Sequence, residues 1–168
     1  VKNRDLRIWS AGCSTGEEAY TLTMIMEDYF GVSKSLWDTR ILATDISSRA
    51  LETAKTGEYM NRDVDPLPLH WKMNYFTKTD NEKSAVSDKI RKEVIFRSFN
   101  LMNKFHVIFC RNVMIYFDTE SKKKLVDKFY DFMEPGGFLF VGHSESLNRE
   151  ETGFKYVIPA VYRKEYGK

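Results

Sequence analysis

Cysteine, histidine and proline are scarce in this chain of 168 residues: two, three and four respectively. Cys13 and Cys110 lie in or beside short apolar segments and lack metal-ligand spacing. That excludes a cysteine-ligated metal module and fits a reducing, cytoplasmic setting. His70, His106 and His143 are scattered along the chain, so no metal site is expected. No apolar run approaches the ~20 residues of a membrane span, and no signal peptide is present, so no membrane insertion is expected. Charge of one sign is also lacking. The net charge is +2, without the clustered basic face that nucleic-acid binding requires. The lysine run at 122–124 reads as a solvated helix face. There is no internal repeat, no Walker lysine and no G-x-S-x-G nucleophile elbow, which argues against a P-loop enzyme and a serine hydrolase.

The composition is that of a soluble globular domain, 42% hydrophobic and 30% charged, with 14% aromatic residues for a well-packed interior. Residues 1–168 read as one domain. The chain starts at Val1, without an initiator Met, and enters a strand within a few residues, as expected of a piece of a longer protein. Strand and helix patterns then alternate. A strand at 6–11 is followed by a helix from Glu17 to about Phe30, with Gly31 as its stop. A strand at 41–44 precedes a short helix at 51–55. Residues 59–88 are polar, carry Pro66 and Pro68, and read as an insertion. Its small β-subdomain is expected at about 70–98, with extended segments at 86–91 and 93–99. Regular alternation resumes with the apolar run 107–110, as in a central parallel strand buried on both faces. Asp118 or Thr119 caps a helix with an apolar stripe at Leu125, Val126, Phe129, Phe132 and Met133. Pro135-Gly136-Gly137 stops it, a strand follows at 138–141, and residues 156–162 close the sheet with an antiparallel pair broken at Pro159. This pattern predicts an α/β fold with a mostly parallel sheet, helices on both faces and a closing antiparallel strand.

In such sheets ligands bind beyond the carboxyl ends of the strands. The residues there are small, polar or charged: 11–17, Asp45-Ile46, Asn100-Leu101, 111–116 and 142–145. The first loop, Ala11-Gly12-Cys13-Ser14-Thr15-Gly16, lacks the G-x-G-x-x-G spacing of a pyrophosphate loop. It leads into two acids, Glu17 and Glu18, where a phosphate would want positive charge. A cationic ligand without phosphate, such as S-adenosyl-L-methionine, suits that helix start. Glu17 is placed to meet its cationic end, or else serves the helix dipole. Asp45 is placed to accept both ribose hydroxyls, or else caps the next helix. Asn100 suits an adenine edge or a strand-end turn, with Leu101 offering an amide and apolar cover. Asn112 follows the central strand, and Tyr116 lies at the same edge or packs under the following helix.

The segments at 9–18 (Trp-Ser-Ala-Gly-Cys-Ser-Thr-Gly-Glu-Glu), 43–47, 100–101, 108–117 (Ile-Phe-Cys-Arg-Asn-Val-Met-Ile-Tyr-Phe) and 142–147 (Gly-His-Ser-Glu-Ser-Leu) closely resemble CheR-type chemotaxis protein glutamate methyltransferases. The resemblance runs in order over nearly the whole chain. It implies the class I S-adenosylmethionine-dependent methyltransferase fold, Rossmann-like, with S-adenosyl-L-homocysteine as the cofactor product. It also implies methylation of glutamate carboxylates on the cytoplasmic helices of chemoreceptors. By the same resemblance, Glu17, Asp45, Asn100, Leu101, Asn112 and Val113 contact the cofactor, with Ala11 and Gly12 in the loop beside it. Tyr116 matches a tyrosine placed beside the methyl group.

The family's N-terminal helical domain is absent from this sequence, and His106 stands where an Asp is usual. Some members dock a receptor pentapeptide through a glycine-rich loop of the insertion. Here residues 77–84 contain no glycine, which implies a pentapeptide-independent protein. Two other readings remain open on the sequence. One is a methyltransferase of another acceptor; the other is a regulatory module that binds the cofactor without turnover.

Overall fold

The computed structural model describes residues 2–98, 104–148 and 151–166. In chain order, β1 (Ile8–Ala11) leads through the glycine loop into α1 (Glu17–Phe30), and β2 (Ile41–Thr44) into α2 (Ser48–Thr56). The insertion comprises β3 (Glu58–Met60), α3 (Asn61–Val64), α4 (Leu69–Tyr75), β4 (Phe76–Lys78), β5 (Lys83–Val86) and α5 (Asp88–Arg91). The chain then returns to the main sheet with β6 (Val94–Arg97), β7 (Phe105–Cys110), α6 (Thr119–Phe132), β8 (Met133–Val141), β9 (Lys155–Ile158) and β10 (Val161–Arg163).

Seven strands are ordered β6-β2-β1-β7-β8-β10-β9. The first five run parallel, and β10 lies antiparallel between β8 and β9. Side-chain alternation divides the interior into two cores, one on each face of the sheet. Ile8, Ile41 and Ala43 pack with α1 and with Leu51 of α2. Trp9 and Ala11 face the other way, toward Val126 and Phe129 of α6. Burying each such large side chain contributes about 1.5–3 kcal/mol. The helix starts are locally encoded. Ser47 accepts from the Ala50 amide at 3.2 Å, and Asp118 accepts from the Ser121 amide at 2.8 Å.

The insertion differs from its expected bounds. Its three-stranded sheet, ordered β3-β5-β4, runs from Glu58 to Val86 and not over 70–98. Residues 88–91 form a single helical turn that drives Ile90, fully buried, into the α1-side core. β6 belongs to the main sheet, with Val94 paired to Ile41. Burial of Ile90, a tertiary contact, overrides the extended reading at 86–91. Pro135-Gly136-Gly137 is also not a simple stop. α6 does end at Phe132, but β8 begins at Met133 and passes through these residues as a bulge between the pairs Phe105–Met133 and Val107–Phe138. The Gly136 amide donates to the Lys164 carbonyl at 2.7 Å, and a Cβ on Gly137 would sit 2.8 Å from the His106 carbonyl oxygen. Gly137 permits close backbone approach within the sheet, while Gly136 takes a left-handed φ of +82° against the Tyr166 ring.

Candidate functional site

Chain order reverses between β1 and β7. From β1 the chain steps outward through β2 to β6, then returns to β7 on the other side. A crevice opens at the carboxyl ends of the strands at such a switch point. Here it is a cavity of about 480 Å³. Ala11, Gly12, Asp45, Asn112, Val113 and Tyr116 all line it. Trp9, Cys110 and Phe129, not named from the sequence as cofactor contacts, also contribute to its wall.

Gly12 turns the chain sharply out of β1 at φ +76°. Its amide and that of Cys13 both donate to the Thr44 carbonyl, at 2.8 and 2.9 Å, tying the first loop to the end of β2. A Cβ on Gly12 would lie 2.5 Å from Val113 Cγ2, so the two cavity walls meet only because this residue has no side chain. Gly16 opens α1 at φ +97°, and Tyr59 of the insertion donates its hydroxyl to the Thr15 carbonyl at 2.8 Å.

Asp45 does not cap α2; Ser47 does. Its two carboxylate oxygens accept separate amides, Ser14 at 2.8 Å and Ser47 at 2.9 Å. The carboxylate is thus clamped between the two loops, and each oxygen keeps a lone pair for a further donor. Asp45 is the sole ionisable acid or base among the described lining residues apart from the weakly acidic Cys110 and Tyr116. With no lysine or arginine in that wall, the cavity is unsuited to a polyphosphate and suited to a ligand rich in hydroxyls or bearing positive charge.

The paired acids behave differently from each other. Glu17 is exposed, accepts the Thr15 hydroxyl at 2.6 Å, and is not among the residues lining the cavity. Glu18 is the one drawn inward. It accepts the hydroxyl of fully buried Ser10 at 2.8 Å and pairs with Arg111 at 3.6 Å, across the ends of β1 and β7. Burial raises the Glu18 carboxyl above its usual range, against the opposing pull of Ser10 and Arg111. Asn100 and Leu101 lie outside the described residues.

Beyond β7 the chain turns through Asn112, in the left-handed region at φ +57°, into a single 3₁₀ turn at Met114–Tyr116. Tyr116 is 81% exposed at the cavity's rim, so it is not an aromatic packed beneath α6. Under this turn lies a residue that the sequence marked only as part of the strand-end run 142–145, with no role of its own. Glu145, buried beyond β8, accepts the amides of Asn112 (2.9 Å), Met114 (2.7 Å), Ile115 (3.2 Å) and Gly142 (2.7 Å). The available signal was the Gly-His-Ser-Glu-Ser run directly after a strand. His143 in that run is exposed.

Burial pushes the thiols of Cys13 and Cys110 up to about 12, so neither offers a thiolate nucleophile near neutrality. Among the described residues no group of His, Cys, Asp and Glu could hold a metal ion. What the wall offers an S-adenosylmethionine-sized molecule is an apolar floor at Trp9 and Phe129, a clamped carboxylate, and a side-chain-free approach at Gly12. These features fit an adenosyl group with its ribose hydroxyls.

The family model described as the CheR methyltransferase SAM-binding domain matches residues 1–162. The chain is similar to a chemotaxis protein methyltransferase of Borreliella burgdorferi, 39% identical over 170 residues, covering 97% of this chain and 60% of that protein. It is similar to chemotaxis protein methyltransferase 1 of Pseudomonas aeruginosa at 40% identity, covering 90% of this chain and 59% of that protein. The chain therefore spans about three fifths of the length of these relatives. The solved glycopeptide N-methyltransferase MtfA shares the fold, with a TM-score of 0.50 at 12% identity over 80% of this chain and 49% of that one.

Proposed function

The chain belongs to the CheR methyltransferase family as its SAM-binding domain, and from that premise we propose that it methylates glutamate side chains on the cytoplasmic helices of chemoreceptors. The observation that carries this reading is the cavity at the switch point, with Asp45 clamped in its wall and Tyr116 free at its rim. When bound, S-adenosylmethionine supplies a methyl group on a positively charged sulfur, a good electrophile with a neutral leaving group.

The chain's own residues then have few chemical tasks. A glutamate carboxylate has a pKa near ~4.3 and is already the nucleophile at neutral pH, so no general base is required. Alignment remains, and positioning of this kind supplies about 7–11 kcal/mol in favourable cases. Asp45 accepts the ribose hydroxyls through the lone pairs left over from Ser14 and Ser47. Gly12, Ala11, Asn112 and Val113 form the wall against which the cofactor lies. Asn100 and Leu101 serve the adenine, as the family resemblance implies. Tyr116 directs its hydroxyl to the incoming carboxylate and excludes water from it. The product is a glutamate methyl ester and S-adenosylhomocysteine.

The partner is the cytoplasmic part of a chemoreceptor, met without a pentapeptide tether. Supporting this, the β4–β5 hairpin has no glycine and is closed by Asp80, whose carboxylate accepts the Glu82 and Lys83 amides at 2.7 Å. No helix among the described residues is long and apolar enough to cross a membrane, and a cytoplasmic setting follows from the partner. The test is transfer of labelled methyl from S-adenosylmethionine to chemoreceptor membranes by the intact protein. Base-labile label on receptors, undiminished when the receptor's C-terminal tail is removed, is the expected result. Binding of S-adenosylhomocysteine without transfer would favour a regulatory module, and label stable to base would point to another acceptor.

A further inference from the structure

Glu145 ties together everything that follows β7. Its two oxygens are divided between pairs of donors: Oε2 takes the Asn112 and Gly142 amides, and Oε1 the Met114 and Ile115 amides. A carboxylate has about four acceptor sites, and here all are used within the chain. The residue is only 8% exposed. Successive amides converging on one anion usually form a site for a bound ion; here the chain supplies the anion itself. The segment so held is strained in isolation, because Asn112 sits at φ +57° without being glycine. It also carries three residues that line the cavity: Asn112, Val113 and Tyr116.

We propose that Glu145 is a positioning residue for the methyl transfer: by anchoring the 112–115 backbone from below, it sets the cofactor-facing wall and the direction of Tyr116 together. The inference rests on the function proposed above. Glutamine has the same shape but only one acceptor oxygen, and its NH₂ would face two amide donors. Glu145→Gln therefore releases one half of the anchor while leaving the packing in place. Gly142→Ala reaches the same anchor from the other side, since a Cβ there would lie 2.7 Å from Glu145 Oε2 and 2.6 Å from Asn112 Oδ1.

Displacing a reacting group by about 1 Å can cost about 10²-fold in rate. In the intact protein, both variants are expected to lose between about 10-fold and 100-fold in kcat, to bind S-adenosylhomocysteine several-fold more weakly, and to leave the receptor KM nearly unchanged. Ile90→Val, a truncation in the other core, serves as a control for stability alone, assayed well below the melting temperature of every variant. It should keep kcat within about twofold of wild type. A folded Glu145→Gln protein with wild-type kcat and cofactor affinity would overturn the proposal. So would a loss of kcat in Ile90→Val proportional to its loss of stability and equal to that of Glu145→Gln. If the wild type binds S-adenosylhomocysteine but transfers no methyl to receptors, the function proposed above fails. The affinity ratio of Glu145→Gln to wild type then still decides whether Glu145 shapes the cavity.

Discussion

Gly12 is where a single missing atom matters most. Its φ of +76° disfavours any side chain, and its Cβ position is already within 2.5 Å of Val113 Cγ2. Gly12→Ala must either move Val113 into the cavity or open the loop. Either way the ligand surface changes while the buried strand Ile8–Ala11 stays in place. Tyr116 is the opposite case. At 81% exposure its hydroxyl contributes nothing to packing, so Tyr116→Phe should leave the melting temperature unchanged. It should lower kcat by about 10-fold or more, with cofactor affinity within about twofold of wild type, because only a group used at the transition state has that signature. Equal turnover in Tyr116→Phe would remove the hydroxyl from the mechanism.

At the scale of elements, His106 gives β7 a pH-dependent attachment to the residue leading into β1. Its Nδ1 accepts the Arg7 amide at 3.1 Å, a role open only to the neutral ring. Burial, aided by the nearby Arg7 charge, holds its pKa below the usual 6.5. The unfolded chain therefore takes up the proton first as pH falls through 6.5, and stability is lost from there down to the lowered value; above 6.5 the ring is neutral in both states and has no effect. The melting temperature of wild type should thus fall more steeply on acidification below 6.5 than that of His106→Gln, which cannot titrate. Parallel curves would show that His106 is not the group responsible.

The same elements show what a sequence does and does not carry. The helix Glu17–Phe30 and the strand Ile41–Thr44 were legible to the residue, because their apolar spacing and flanking glycine or acid are local signals. The insertion's edges were not, since Ile90 is helical only by virtue of the core it enters. Within the site, residues that follow strands directly, such as Gly12, Asp45 and Asn112, were legible from position alone. Glu145 and Glu18 were not. Glu145's role depends chiefly on amides 30 to 33 residues away and Glu18's on Ser10 and Arg111, and no local pattern encodes such pairings.

On the scale of the whole molecule, one end of the sheet gathers the chemistry and the rest of the chain holds it still. Two cores lock β1 and β2 from both faces, α6 backs the cavity through Phe129, and Glu145 fixes the turn that ends in Tyr116. The central claim is that this cavity is the place of S-adenosylmethionine. It is tested most directly by calorimetric titration of S-adenosylhomocysteine into the wild-type and Gly12→Ala proteins. Saturable one-to-one binding by wild type, weakened at least about 10-fold in a folded Gly12→Ala protein, is the expected result, given that the added methyl displaces Val113 within the ligand's wall. No binding by wild type, or equal affinity in the two proteins, would contradict it.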